Sequence, residues 1–301
     1  CIEIIEKNFG PGVQSMYLQS HLSEKVLMET ESFVIEAILD VMKKIHESED
    51  LNEVMKSDLS SKLLSTNIVL GGMRELFNLS KVEELYKDIE LVGDEKILAT
   101  TINLIRYNAK LDNEPKTSWM YRANQLSQLR NLKYLPNENL LNIPAEYLHF
   151  PYFDSKRSRF INTATLFTEI VLSLNEGIKE YLKSTYGIKY IFDYDSVKLG
   201  YENYARWEAK YPKSELKLPG FQLTNRQMYF LSFANAYFSK YHSTIPFYQL
   251  QALNLQFTYY HVWFKARPEF REAFQCDDLD ENETQQFEIF HNKFNNVVKV
   301  H

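Results

Sequence analysis

Seven apolar residues, Phe160, Ala164, Phe167, Val171, Leu174, Ile178 and Tyr181, recur at spacings of three and four between Arg159 and Lys183. That period belongs to a helix with one buried face, and a helix of this length needs other helices or a sheet to cover it. The same spacing appears elsewhere. Met16, Leu18, Leu22, Val26 and Leu27 lead into Phe33, Ile35, Ile38, Leu39, Val41 and Met42. Asp94 caps a stretch with Ile97, Thr101, Leu104 and Ile105 on one face, and Val197, Tyr201, Tyr204 and Trp207 line one side of 193–211. A further helix starts at Thr224, with Gln227 at the third position of a capping box, and runs through Met228, Leu231, Phe233, Ala234 and Tyr237. Arg267 to Phe274 has Pro268 in its first turn. Ser80 is expected to cap a helix starting at Lys81, with Glu83 and Glu84 near the positive end of its dipole. Only 9 glycines and 9 prolines interrupt 301 residues, well under the averages of about 7% and 5%.

The pattern changes in two places. Gly71-Gly72 marks a turn, and the polar, Pro-containing segment from Asn108 to Trp119 reads as a loop. Next come two short runs, Asn131 to Leu135 and Asn139 to Ile143, joined by Pro136-Asn137-Glu138, which read as strands around a turn. The predicted fold class is mainly α with a small β element.

Lys plus Arg is 34 and Asp plus Glu is 40, so the net charge is −6. With no basic block, nucleic acid is not an expected partner. No apolar run reaches the roughly 18 residues a membrane span needs. The chain begins at Cys1 rather than Met, which suggests a processed or partial product. Cys1 and Cys276 could pair with each other, be two buried thiols, or each pair with an absent segment. Two sequons, Asn78-Leu79-Ser80 and Asn282-Glu283-Thr284, matter only in a secreted chain. No two of the 7 histidines stand four apart, and Cys-x-x-Cys, phosphate-loop and nucleophile-elbow motifs are missing. The acidic run from Asp277 to Glu283 reads as a solvated tail rather than a Ca²⁺ loop. Taken alone, this inventory shows no enzyme.

The order of certain blocks carries more. NLKYLPNENLLNIPAEYLHFPYF, residues 131–153, has Asn131, Pro136, Asn139, Pro144, Ala145, Leu148 and Pro151 at the spacings of a block in the neprilysin and endothelin-converting-enzyme family of zinc metalloendopeptidases, which it resembles. Leu223 to Ala234 is similar to that family's Leu-Thr-x-x-Gln-x-Phe-Phe-Leu-x-Phe-Ala helix, and Pro268 to Cys276 to its Glu-Phe-x-x-x-Phe-x-Cys segment. Cys1 to Leu22, with Glu6-Lys7 and Gly10, fits a Cys-led segment. The resemblance implies an incomplete thermolysin-like catalytic-domain architecture. The end of a helical second domain would occupy 1–45, a helical linker region 46–110, and a degenerate peptidase domain 111–301. It implies an extracellular chain, secreted or anchored through an N-terminal segment, and a missing N-terminal half whose cysteines would pair with Cys1 and Cys276.

The resemblance breaks at the chemistry. The family's His-Glu-x-x-His helix sets two imidazoles on zinc and a carboxylate on its water. Those positions fall here on Leu172, Ser173 and Glu176. The third ligand, a Glu, falls on Lys189, followed by Asp193. The transition-state His and Arg fall on Leu253 and Tyr259. Two of three ligands and the base are replaced, so no metal cofactor is expected, with zinc implied only if the ligands lie elsewhere. Glu176 and Lys189 are expected either to form an ion pair, with Asp193 as second partner, or simply to reach solvent. Asn131, whose counterpart holds the substrate backbone, is the one retained binding position. It is either a peptide clamp or a strand-end hydrogen-bonding residue. The expected function is that of an inactive homologue acting by binding peptides or an active relative. The alternatives are an active peptidase with unusual ligands and a fragment that does not fold alone.

Overall fold

The computed structural model describes residues 2–87, 89, 97–188, 195–212, 214, 220, 222–242 and 264–276. The chain forms α1 (Ile2–His21), α2 (Glu24–Glu47), α3 (Glu53–Leu64), β1 (Asn67–Gly71), α4 (Leu79–Tyr86), α5 (Ile97–Asp112), α6 (Trp119–Ser127), β2 (Lys133–Leu135) and β3 (Leu140–Pro144). There follow α7 (Arg159–Asn162), a π-helical turn (Thr163–Phe167), α8 (Thr168–Tyr186), α9 (Ser196–Lys210), α10 (Asn225–His242) and α11 (Pro268–Phe274). The mainly α reading with a small β element is borne out. Two compact units result, one of residues 1–157 and 166–196, the other of 158–165 and 197–301.

In the first unit three strands lie in the order β1-β3-β2. β1 runs parallel to β3 from Asn67 opposite Leu140 to Gly71 opposite Pro144, and β2 runs antiparallel to β3 from Lys133 opposite Asn142 to Leu135 opposite Leu140. The hairpin expected from Pro136-Asn137-Glu138 is therefore present. β1 was not expected. Its Ile68-Val69-Leu70 run is shorter than any periodicity can register, and Gly71 at φ 74° closes it, with Leu18 and Leu22 of α1 packed where a Cβ would sit. Around the sheet, α2 buries Phe33, Val34, Ala37, Ile38, Val41 and Ile45 and packs on α3 and α8. Phe33 meets Phe153 and Phe167 edge-on, at ring separations of 5.8 and 6.2 Å. Each such buried side chain contributes about 1.5–3 kcal/mol. Leu18, Leu76, Val82 and Ala123 form a smaller cluster around α1, α4 and α6.

Two local expectations are corrected. Asn108 to Asp112 is the last turn of α5 and not loop, because Tyr107 and Leu111 continue its buried face into a cluster with Leu85. The cap of α4 is Asn78, not Ser80: its Oδ1 accepts from the Ser80 N–H at 3.0 Å, so the helix begins two residues earlier than predicted.

The second unit is organised on aromatic rings. Phe160, Ala164, Val197, Tyr201, Tyr204, Tyr229, Phe230 and Phe264 form one buried cluster. Tyr201 stacks on Phe230 at 5.1 Å, and the Tyr229 hydroxyl donates to the Val197 carbonyl at 2.9 Å. The capping box forms as predicted. The Gln227 N–H donates to Thr224 Oγ1 at 3.2 Å, and the Thr224 N–H donates to Gln227 Oε1 at 2.8 Å.

Candidate functional site

The residues at the former zinc-motif positions lie together on α8, but they face different ways. Leu172 and Glu176, four apart, are both exposed on one side of the helix, while Ser173 and Gly177, also four apart, are buried on another. The buried pair faces β2. Ser173 Oγ accepts a hydrogen bond from the Tyr134 backbone N–H at 2.7 Å. A Cβ at Gly177 would lie 3.0 Å from the Tyr134 carbonyl oxygen and would collide with the Tyr134 ring. In an antiparallel pair the N–H and C=O of one residue point to the same side. Both polar groups of Tyr134 therefore point away from β3, toward α8. β2 is an edge strand, and α8 covers that edge at Tyr134: Ser173 satisfies its donor and Gly177 admits its carbonyl.

Tyr134 is tied down at its other end as well. Its hydroxyl donates to Asn139 Oδ1 at 2.9 Å, and burial pushes its pKa up to about 12. Asn139 sits in the left-handed region, φ 47°, at the end of the turn. Its Nδ2 donates to the Lys62 carbonyl and to Ser65 Oγ, each at 3.0 Å, while its carbonyl accepts from the Asn67 N–H at 2.9 Å. One asparagine thus joins the end of α3, the start of β1 and the β2–β3 turn. Asn139 is quoted above only as a matching position. The signal that could have found its role is an asparagine closing a turn, where αL backbone and a bonding side chain are both favoured. Asn131 is exposed, two residues ahead of β2, beside the buried Leu132.

As a metal site the donor set does not fit. Leu172 offers no donor, Ser173 already accepts from a backbone amide, and Glu176 alone is an exposed carboxylate. Among the described residues, no group of three or more His, Cys, Asp or Glu side chains could hold a metal ion. Lys189, Asp193, Leu253 and Tyr259 lie outside the described residues, as do Cys1 and the run Asp277 to Glu283. The expected ion pair of Glu176 falls there too. Cys276 is exposed and free. Among the described residues no helix is long and apolar enough to cross a membrane.

No family model matches the sequence. Among curated proteins it is similar to an endothelin-converting enzyme homolog of Locusta migratoria, 23% identical over 220 residues, covering 57% of this chain and 29% of the locust protein. Among solved structures it is similar to PepO from Lactobacillus rhamnosis, with a TM-score of 0.55 at 15% identity, covering 92% of this chain and 49% of PepO. The chain thus spans about half the length of PepO and matches less than a third of the locust protein. The blocks around Asn131, Thr224 and Pro268, the locust relative and the shared fold agree, and the chain is a distant relative of the neprilysin and endothelin-converting-enzyme family.

Proposed function

We propose that this chain is a catalytically inactive, neprilysin-like homologue that works by binding a peptide or an active relative. The observation that carries the reading is the bond from the Tyr134 N–H to Ser173 Oγ. The position that supplies a general base in the family is here a buried hydroxyl, committed to holding β2 against α8. A serine hydroxyl does not titrate near neutrality and cannot replace a carboxylate base. Leu172, one residue before it, removes an imidazole from the metal side.

What remains is a surface beside β2 that carries the exposed Asn131 and Lys133. Asn131 can present its amide to an extended peptide backbone as both donor and acceptor. We place the chain outside the cell, by analogy with its relatives, as the C-terminal part of a longer protein whose other half would supply partners for Cys1 and Cys276. The exposed apolar residues Leu98, Ile102 and Ile105, spaced along α5, favour such a covering segment.

The test is metal content and peptide hydrolysis measured on the same purified sample. The reading expects zinc well below one per chain after dialysis, and no peptide cleavage that a chelator abolishes. Stoichiometric zinc with chelator-sensitive cleavage would overturn it and favour ligands outside 172–176. A non-cooperative melt of the 301-residue chain would instead favour a fragment that needs its other half.

A further inference from the structure

One motif has no part in the site just described. Asn78-Leu79-Ser80 carries the sequon pattern, and all three residues are exposed, Leu79 at 57%. Asn78 is the N-cap of α4, with extended backbone at φ −108° and ψ 111°. Its two side-chain ends do different work. Oδ1 accepts from the Ser80 N–H at 3.0 Å and is thereby spent on the helix. Nδ2 has no bond to a described residue, and the Ser80 hydroxyl is likewise uncommitted. A substituent on Nδ2 would leave the cap intact, because the cap uses only the oxygen.

We propose that Asn78 is an N-glycosylation acceptor. This inference rests on the extracellular reading proposed above. In the reaction Nδ2 forms a bond to the anomeric carbon of a lipid-pyrophosphate-linked oligosaccharide. The carbon–oxygen bond to the pyrophosphate breaks, the lipid pyrophosphate leaves with the electron pair, and the amide loses one proton to the transferase. Nothing is oxidised or reduced. In the folded product the sugar lies over Leu79, an apolar side chain that the fold leaves in water.

The experiment is translocation of the full 301-residue chain into microsomes behind a cleavable leader that carries its own acceptor sequon as a control. Glycosidase digestion in heavy-oxygen water then reads Asn78 by mass as a labelled aspartate. Asn282→Gln removes the other sequon. Ser80→Ala removes the hydroxyl the transferase requires but keeps the backbone N–H that Asn78 caps, so folding is preserved. The expected result is labelled aspartate at position 78 in the Asn282→Gln chain and its loss in Ser80→Ala. An occupied control sequon with a bare Asn78 overturns the proposal. The extracellular reading is tested separately, by whether the natural protein in intact cells is reached by an added protease. A cytosolic protein whose Asn78 is still modified in microsomes would sink that reading and leave the acceptor assignment standing.

Discussion

Replacing Ser173 with alanine tests the central contact directly. The substitution deletes one oxygen from a site that is 5% exposed, and leaves the Tyr134 N–H pointing into a side of α8 that offers no other acceptor. An unsatisfied buried donor costs about 1–3 kcal/mol, more than the net worth of an ordinary hydrogen bond. For a unit of this size that corresponds to a fall in Tm of about 2–12 °C. The local readout is sharper than the global one. Tyr134 lies on an edge strand, so its amide is shielded only by Ser173, and Ser173→Ala should raise its hydrogen-exchange rate while the amides that face β3 change less. Ser173→Thr, which keeps the hydroxyl, should retain the protection. If Ser173→Ala leaves both the melting midpoint and the Tyr134 exchange rate unchanged, the hydroxyl is not holding the strand, and the inactive reading loses its main support.

Other perturbations follow from the same geometry. Gly177→Ala places a methyl 3.0 Å from the Tyr134 carbonyl and against its ring, and should destabilise by about 1–3 kcal/mol in a urea titration. The double substitution Leu172→His and Glu176→His puts two imidazoles one turn apart on an exposed face. It should confer cobalt(II) binding visible by absorption, yet no peptide hydrolysis, because Ser173 remains in the base position; the appearance of hydrolysis would refute that assignment. Tyr134 has its pKa raised by burial to about 12, against about 10 unfolded. Its contribution is intact below pH ~10 and falls away as pH rises toward the folded value, by about 1.4 kcal/mol per pH unit. Urea midpoints between pH 9 and 12 would show this, and Tyr134→Phe should flatten the decline. Thr224→Ala removes one arm of the capping box and should cost about 0.5–2 kcal/mol.

The sequence made the long helices legible because their buried faces repeat many times. The stripe from Phe160 to Tyr181 contains seven votes for one period, and the capping box at Thr224 and Gln227 fixes an end by side-chain chemistry alone. Short elements lack that redundancy. β1 offers three apolar residues in a row, which a strand or a helical turn would show equally. Its identity comes from pairing with β3, a partner about seventy residues away. Asn78 and Ser80 both suit a cap, and the choice between them depends on whether Leu79 already lies in the helix. At the site, chemical type could be read from residue identity, since Leu172 and Ser173 exclude the family's roles wherever they point. What Ser173 does instead could not be read, because it depends on which strand lies beneath it.

That dependence bears on whether the lost chemistry could return by stepwise change. Leu172 and Glu176 are exposed, and substitutions there should be nearly free in stability. Position 173 is different. A glutamate at this position would place a longer, charged side chain between α8 and β2, one turn from a glycine that leaves no room for a methyl group. The Tyr134 N–H could donate to one carboxylate oxygen, but only if the helix and strand moved apart, and a carboxylate held between them would carry a desolvation cost of several kcal/mol. A free carboxylate able to act on a bound water requires a wider gap between α8 and β2 than Ser173 and Gly177 now fit. Restoring the base therefore requires repacking the edge strand as well as changing one residue. The serine at 173 and the close approach at Gly177 act as one unit, and neither reverts to a peptidase arrangement without the other.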